Sequence, residues 1–320
     1  MFTTRIAEPF DSSEHMFEVA WDGVRALIHV EREEVRVINA FGEDVTWRFP
    51  ELRSIETEVN GTGLVLDGEI VVLDDEGVPQ FNRLLPRLEA GDVDDVAKAV
   101  RGSAVVFQGF DILYKGGRSV MNEPLRTRKR MLRQVVRRPG SLSVPDYVER
   151  DGIAFFEAAR EHGLSGTVSK HIESKYVPAL RARDWSLMRV FQRDEFVIAG
   201  FTYGGTLRMS RRKHSEPFAS LLIGAYDRWQ RLHFVGEIAG GFESDVEVEL
   251  ARSMDGLVTT LCPFDTPPLS PRLVFWCAPQ LVASVAFSRW TENGRLQFPR
   301  FEWLRPDVPT SACLLPESAA

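Results

Sequence analysis

Residues 20–25 read Ala-Trp-Asp-Gly-Val-Arg and place a carboxylate and a guanidinium on either side of a glycine. The guanidinium of Arg25 could hold a ribose or a phosphate, because it stays protonated and offers several donors. The same property makes arginine a poor nucleophile. The segment offers no amine, since Ala20 presents a methyl group and the first lysine of the chain is Lys98. These residues are therefore suited to phosphate binding and lack a nucleophile for covalent catalysis.

Further along the chain, a short acidic motif, Asp67-Gly68-Glu69, could bind a cation. By itself such a sequence is more typical of a turn between two strands. Magnesium prefers oxygen ligands, and a pair of carboxylates suits it better than one carboxylate. The ring of Phe110 could stack on a base or belong to the core. Lys170 could contact a phosphate or lie on the surface of a strand.

These residues belong to an ordered series of motifs that extends from about residue 6 to residue 308. The series resembles the motifs of ATP-dependent DNA ligases, especially the ligase domain of the bacterial non-homologous end-joining type. In chain order the motifs are Glu8-Pro9-Phe10-Asp11, Trp21-Asp22-Gly23-Val24-Arg25-Ala26, Val65-Leu66-Asp67-Gly68-Glu69-Ile70-Val71, Phe110-Asp111-Ile112-Leu113-Tyr114, Gly163-Leu164-Ser165-Gly166-Thr167-Val168-Ser169-Lys170, Ser174-x-Tyr176, Arg183-Asp184-Trp185, Pro263-Phe264-Asp265, Trp290-Thr291 and Arg305-Pro306-Asp307.

The resemblance implies a fold, a reaction and two cofactors. The fold is α+β, with a nucleotidyltransferase (adenylation) domain followed by an OB-fold β-barrel. In the reaction, a lysine takes AMP from ATP, passes it to the 5′-phosphate of a nick, and the 3′-hydroxyl then displaces AMP. ATP and Mg²⁺ are the implied cofactors, and the metal balances phosphate charge. The implied partners are DNA, at nicks or double-strand ends, and other end-joining repair proteins.

The nucleophile and the metal ligands depart from the family pattern. The lysine that opens the family motif Lys-x-Asp-Gly-x-Arg is Ala20 in this chain. Glu69 retains one carboxylate of the implied metal site, whereas the position of its partner is occupied by Ser165. A carboxylate with a hydroxyl suits Mg²⁺ less well than two carboxylates. Binding of ATP and Mg²⁺ is therefore doubtful, and no catalytic group is intact.

Other departures remove positive charge from the implied phosphate site. Two lysines of the fifth family motif read Leu187 and Arg189, and the lysine of the Arg-x-Asp-Lys motif reads Val308 after Arg305. The arginine of the Ser-Arg-Asn-Gly motif reads Ala40. So many losses indicate natural relaxation of the site. The retained nucleotide-binding residues implied by the resemblance are Asp22, Gly23, Arg25, Glu69, Phe110, Lys170, Arg189 and Arg305.

Basic side chains concentrate in residues 125–138 and 208–214, although the net charge of the chain is −7. Each run could be a solvated helix or loop face, or it could bind the DNA backbone. The candidate DNA-binding residues are Arg126, Arg128, Lys129, Arg130, Arg208, Arg211, Arg212 and Lys213.

Composition indicates a globular protein, with 44% hydrophobic and 27% charged residues. The three cysteines form no paired motif, so we expect neither a zinc site nor a disulfide framework and a reducing compartment. No signal peptide and no membrane-spanning run is evident. We expect a cytoplasmic monomer, associated with the nucleoid if it binds DNA.

Strand and helix patterns predict two domains and a tail. Residues 1–190 are expected to form the adenylation-like domain, residues 191–308 the OB-fold, and residues 309–320 a loosely attached C-terminal tail. Helices are expected at residues 125–137, 151–162 and 245–258.

The preferred hypothesis is a pseudo-ligase, a family member that binds nicked or broken DNA in repair or recombination and has lost self-adenylation. Two alternatives remain. The chain could be an active ligase or a sealer of pre-adenylated nicks, because the last chemical step does not use the lysine as a nucleophile. It could also be a non-catalytic docking module for a repair partner.

Overall fold

A computed structural model describes residues 1–6, 8–101, 103–138, 140–203, 218–239, 242, 244–268, 273–291 and 293–316. Internal contacts divide the chain into two compact units, Met1–Val190 and Phe191–Ala320. Among the described residues, no helix is long and apolar enough to span a membrane.

The first unit contains two sheets, with helices packed against them. Its strands are β1 (Phe2–Ile6), β2 (Ser12–Val19), β3 (Val24–Glu31), β4 (Glu34–Asn39), β5 (Leu64–Val71), β6 (Val106–Lys115), β7 (Arg118–Ser119), β8 (Leu142–Ser143), β9 (Val148–Arg150), β10 (Gly166–His171) and β11 (Arg181–Arg189). Its helices are α1 (Ile55–Glu58), α2 (Phe81–Glu89), α3 (Val93–Val100), α4 (Leu125–Val135) and α5 (Gly152–Glu161), with 3-10 helices at Thr46–Arg48 and Pro50–Ser54.

One sheet has the order β1-β11-β10-β2-β9, and the other has the order β4-β3-β5-β6-β7 with β8 beside β6. Neighbours pair antiparallel except β1 with β11 and β6 with β8. Alternation explains the second sheet, because Ala26, Ile28 and Val30 of β3 all belong to one hydrophobic core. Leu27, between them, packs against a different cluster that includes Phe110. Leu132 and Val135 of α4 join the same core.

The acidic motif Asp67-Gly68-Glu69 lies within β5, so the turn that it suggests in isolation does not form. Gly68 is required there by close packing. A Cβ at this position would lie 2.4 Å from the ring of Phe107 and 2.5 Å from the carbonyl oxygen of Gln108. Gly68 therefore allows β5 to pair closely with β6, although the Asp-Gly sequence is more typical of a turn.

Helix α4 corrects the prediction for two of the basic residues. Arg128 and Lys129 are buried, since they share a helix face with Leu125 and Leu132, at the spacing of one helix stripe. The guanidinium of Arg128 donates two hydrogen bonds to the carboxylate of Asp111, at 2.8 and 2.9 Å. The prediction that Arg128 and Lys129 contact DNA is therefore wrong, because neither side chain reaches the surface.

The second unit is mostly antiparallel strand. Its elements are β12 (Gln192–Tyr203), β13 (Phe218–Tyr226), β14 (Leu232–Ala239), α6 (Ser244–Asp255), β15 (Val258–Thr259), β16 (Val274–Phe287), β17 (Arg300–Leu304) and a 3-10 helix at Thr310–Ala312. The sheet has the order β14-β13-β12-β16-β15, with β17 paired to β16. The α+β class expected from the sequence is confirmed, and the helices expected at residues 125–137, 151–162 and 245–258 are α4, α5 and α6.

The predicted C-terminal tail is not loose over its described part, which reaches residue 316. Cys313 is buried, and its carbonyl oxygen accepts a hydrogen bond of 2.7 Å from the amide of Tyr226. The amide of Leu315 donates back to the carbonyl oxygen of Tyr226 at 2.8 Å. Backbone pairing to β13 therefore makes these residues part of the second unit.

The buried position of Arg128 gives a stability prediction. We expect Arg128→Ala to lower the free energy of unfolding by about 3–5 kcal/mol, because the charge of Asp111 stays buried without its partner. Arg130→Ala, at an exposed position of the same helix, is the matched control and should change it by less than about 0.5 kcal/mol. Chemical denaturation followed by circular dichroism measures both. Equal effects would contradict the buried ion pair.

Candidate functional site

A pocket of about 180 Å³ in the first unit brings together most of the residues predicted to act on a nucleotide. Retained and substituted positions line the same space. The predicted residues in its lining are Ala20, Asp22, Arg25, Glu69, Phe110, Ser165, Lys170, Leu187 and Arg189. Motifs far apart in the sequence therefore converge, and four of the departures from the family pattern lie in one site, whereas Ala40 and Val308 do not line this pocket.

Pairing of β2 with β10 forms one wall of this pocket. Glu18 of β2 lies opposite Val168 of β10, and the amide of Ala20 donates a 3.0 Å hydrogen bond to the carbonyl oxygen of Gly166. Gly166 must lack a Cβ, which would lie 2.2 Å from the carbonyl oxygen of Met188 on β11. This close approach keeps the ends of three strands together at the pocket.

The nucleophile position is held in place although it carries no amine. The carbonyl oxygen of Ala20 accepts a hydrogen bond of 3.2 Å from the hydroxyl of Ser165, beside the amide contact to Gly166. Two of the substituted positions are thus bonded to each other. The backbone geometry needed to present a side chain at residue 20 remains, while the methyl group of Ala20 cannot attack a phosphate.

Glu69 is tied to the motif that follows Ala20. The amide of Gly23 donates a 3.1 Å hydrogen bond to Oε1 of Glu69. The contact depends on glycine, because a Cβ at Gly23 would lie 2.2 Å from the carbonyl oxygen of Ile70. Burial raises the pKa of Glu69 to about 7, against the opposing effect of the Gly23 hydrogen bond. The carboxyl group therefore changes charge near neutral pH.

The residues present do not fit a dedicated magnesium site. Glu69 is the retained carboxylate, and the hydroxyl of Ser165 is engaged by the carbonyl oxygen of Ala20. In the described part of the chain, no group of three or more His, Cys, Asp or Glu side chains is arranged to hold a metal ion. Glu69, whose pKa of about 7 leaves its carboxyl group partly protonated near neutral pH, is a weak ligand for a hard cation.

Arg25 is held by Asp67, a residue of the acidic motif whose pairing with Arg25 the sequence did not reveal. Its Nε and Nη2 donate to the two oxygens of Asp67 at 2.9 and 2.6 Å. The hydroxyl of Tyr176 donates to the same carboxylate at 2.8 Å. Burial alone would lower the pKa of Arg25, but the charge of Asp67 raises it above its ordinary value. The guanidinium is therefore a fixed positive charge at the pocket.

A buried group of three charges lies at the inner end of the pocket. One oxygen of Glu18 is 2.7 Å from Nζ of Lys129, and the other accepts a 2.9 Å hydrogen bond from Nζ of Lys170. Burial lowers the pKa of Lys129 to about 8. Burial alone would raise the pKa of Glu18, but the two ammonium groups hold it below its usual value. Two positive charges thus share one negative charge.

Sequence reasoning missed Glu18, although a signal was available. Glu18 lies two residues before Ala20, and the alternation of a strand places such residues on the same face. Lys129 was assigned to the wrong role for a similar reason, because its helix stripe was not compared with Leu125 and Leu132. The two-residue period of the strand predicts that Glu18 faces inward, and the helical spacing of Lys129 from Leu125 and Leu132 predicts the same for Lys129.

The side chain of Lys170 also occupies the space beside Phe110 that a stacked nucleotide base would need. Its Nζ lies 4.2 Å from the ring centroid of Phe110 and 4.4 Å from that of Trp185, while Cζ of Arg25 lies 5.1 Å from that of Phe110. A base stacking on Phe110 must displace these cations. The pocket is also smaller than the roughly 300–1,000 Å³ typical of small-molecule sites. Binding of ATP in this pocket would therefore require Lys170 and Arg25 to move.

The remaining predicted residues lie elsewhere. Arg305 is in the second unit, where it pairs with Glu195 and Asp307. Arg126 and Arg130 are exposed on α4, and Arg126 pairs with Glu173. The other predicted DNA-binding residues, Arg208, Arg211, Arg212 and Lys213, lie outside the described residues.

The buried charge group predicts unequal effects of removing its members. Glu18→Gln should lower the free energy of unfolding by about 3–5 kcal/mol, because two ammonium groups stay buried without a counter-charge. Lys129→Met keeps the volume and leaves one Lys170–Glu18 pair, so its cost should stay below about 1.5 kcal/mol. Denaturant titration of both variants tests this order. A loss as large for Lys129→Met as for Glu18→Gln would contradict it.

Comparison with protein families accounts for both units. The family model of the ATP dependent DNA ligase domain matches residues 2–188. The model of the ATP dependent DNA ligase C terminal region matches residues 214–308. Together the two matches extend over most of the chain.

Individual relatives point to the same family. The multifunctional non-homologous end joining DNA repair protein LigD of Mycobacterium tuberculosis (strain H37Rv) is 32% identical over 302 residues, which are 94% of this chain and 37% of that protein. The non-homologous end joining protein LigD of Pseudomonas aeruginosa is 29% identical over 305 residues, covering 92% of this chain and 34% of the relative. The chain therefore spans about a third of the length of these curated relatives.

Solved structures agree. A mycobacterial DNA ligase D complexed with ATP and MES shares 30% identity with a TM-score of 0.54, covering 99% of this chain and 97% of that chain. The ligase domain of M. tuberculosis LigD shares 30% identity with a TM-score of 0.53, covering 98% and 97%. The chain belongs to the ATP-dependent DNA ligase family, with the nucleotidyltransferase domain followed by the C-terminal OB-fold domain.

Proposed function

We propose that this chain is a pseudo-ligase, which binds nicked or broken DNA in end-joining repair without adenylating itself. It acts as a monomer in the cytoplasm, at the nucleoid. The observation that carries the proposal is the position of Ala20, whose backbone is held by Gly166 and Ser165 at the wall of the pocket. The scaffold of the nucleophile is present, and its amine is absent.

Lys170 does not replace the missing amine in this arrangement. It is the one lysine among the described residues that line the pocket, and its Nζ donates to Glu18 between two aromatic rings. An ammonium that is paired with a carboxylate has no lone pair to offer an α-phosphate. This supports loss of the first step of the family reaction.

Sealing of pre-adenylated nicks is the second candidate, and one observation favours it. Arg25 and Glu69 both line the pocket and are held in place by Asp67 and Gly23. The last step joins a 3′-hydroxyl to an activated 5′-phosphate and needs charge stabilisation more than a protein nucleophile. A pre-adenylated nicked duplex, incubated with the protein and Mg²⁺ or Mn²⁺, tests this activity. Absence of sealed product would exclude it.

The labelling prediction concerns self-adenylation. With α-labelled ATP and Mg²⁺ or Mn²⁺, we expect no label on the unaltered chain after denaturing electrophoresis. Ala20→Lys alone should label weakly, because each missing phosphate-stabilising group is commonly worth about 10²–10³ in rate. The triple variant Ala20→Lys, Ser165→Glu, Leu187→Lys should take up label from ATP faster than the single variant Ala20→Lys.

The matched control is Ala20→Arg, which adds a long cation that is a poor nucleophile and should not label. Label on the unaltered chain would show a substitute nucleophile and would overturn the proposal. Circular dichroism of every variant confirms that the fold is kept.

The DNA-binding prediction uses exposed arginines of the first unit. A fluorescent nicked duplex should bind with an affinity that falls steeply with salt, because backbone contacts release counterions. Arg130→Glu and Arg137→Glu should each weaken binding and reduce the slope of log K against log salt by about 1. Arg32→Glu, an exposed arginine between β3 and β4, is the charge-matched control. Binding that resists salt, or no binding, would favour the docking-module alternative.

A further inference from the structure

The turn between β13 and β14 presents an exposed indole flanked by two guanidinium groups. The side chain of Trp229 is 59% exposed. Cζ of Arg228 lies 4.1 Å from the centroid of its ring, and Cζ of Arg231 lies 5.0 Å from it. Cations over a ring are attracted by its negative face, so the three side chains form one surface group. We name these residues, with Gln230 between them, the Arg-Trp turn.

The Arg-Trp turn is rigid at its base. The buried carboxylate of Asp227 accepts hydrogen bonds from the amides of Trp229 and Arg231 at 2.8 and 2.9 Å. It also accepts a 2.8 Å hydrogen bond from Nε of Arg231 and lies 2.9 Å from Nε2 of His233. Burial of one carboxylate thus fixes the backbone of an exposed turn. Little ordering remains for a ligand to impose.

The bonds that order the turn involve the side chain of Arg231 but not those of Arg228, Trp229 or Gln230. Gln230 adopts a φ of +61°, a conformation that glycine or asparagine adopts more readily. An indole that is 59% exposed leaves most of its ring outside the core. Arg228 adds a positive charge beside the indole in a chain whose net charge is −7, and Arg231, which is paired with Asp227, adds a second guanidinium group. The turn therefore has the composition of a recognition surface.

The chemistry of the Arg-Trp turn fits one class of ligand. Guanidinium groups bind phosphates, and an indole stacks on the face of a base. Bases in a duplex already stack on one another, whereas unpaired bases offer a free face. A single strand therefore uses all three side chains, while an intact duplex or an acidic peptide uses only the arginines.

We propose that the Arg-Trp turn binds single-stranded DNA, such as the overhang of a broken end, and this rests on the proposed function. An unpaired base stacks on Trp229 in place of one of the guanidinium groups that lie against the exposed ring, and the phosphates that flank the base contact Arg228 and Arg231. The turn adds affinity for unpaired nucleotides to whatever contacts the chain makes with duplex DNA.

Fluorescence anisotropy with three labelled probes tests this. The probes are a blunt nicked duplex, the same duplex with a 3′ oligo(dT) overhang, and a free oligo(dT) of about 16 nucleotides, the upper range of OB-fold site sizes. Trp229→Ala should weaken binding of the overhang duplex and of oligo(dT) about tenfold, since stacking contributes that order per base. Binding of the blunt duplex should not change.

Two variants serve as controls. Trp303→Ala removes another indole of the second unit, which is 50% exposed on β17, and should leave all three affinities unchanged. Trp229→Phe keeps a stacking face and should retain most of the affinity. Arg228→Ala should lower the salt slope for the overhang duplex by about 1.

The outcomes separate this inference from the proposed function. If Trp229→Ala leaves overhang binding unchanged, or weakens blunt and overhang duplexes equally, the inference is wrong even where the nicked duplex binds. If oligo(dT) binds through Trp229 but the blunt nicked duplex does not bind, the inference stands and the proposed nick binding is wrong. If no probe binds, both are wrong.

Discussion

The first unit depends on charges that are buried in pairs between its layers. Helix α4 is joined to the sheet of β6 by Arg128 and Asp111, and to the sheet of β2 by Lys129 and Glu18. A buried charge that loses its partner costs several kcal/mol, whereas an intact pair with further hydrogen bonds is tolerated. The positions of α4 and both sheets are therefore coupled. Because the pocket lies where these sheets meet, the same pairs determine its shape.

The same constraint accounts for a fold that is kept while the position of the family nucleophile carries no amine. Side chains with structural roles, such as Asp67, Asp111 and Glu18, hold buried partners, so replacing any of them would leave a charge uncompensated. Ala20 and Ser165 do not balance a buried charge, because they are held by backbone and hydroxyl hydrogen bonds. An alanine at residue 20 is therefore accommodated without disturbing these buried ion pairs. The residues that stabilise the fold through buried charges are thus different from the substituted positions of the same pocket.

In the second unit, one buried carboxylate, that of Asp227, orders an exposed turn. Asp227 orders the turn that carries Trp229, so the tip is rigid without taking part in the core. Backbone bonds between Tyr226 and residues near Cys313 extend this order to the chain beyond β17. Preorganised surface groups of this kind are suited to binding rather than to catalysis.

The sequence alone determined the family motifs, the α+β class and the absence of a lysine at residue 20, because these depend on residue type, order and local period. It also predicted α4 correctly as a helix. It did not reveal which side of α4 is buried, and so Arg128 and Lys129 were misassigned. Nor did it show that Lys170 lies against Phe110. Those facts depend on contacts between strands and helices far apart in the chain, and only the tertiary structure determines which charges become desolvated partners and which remain in water.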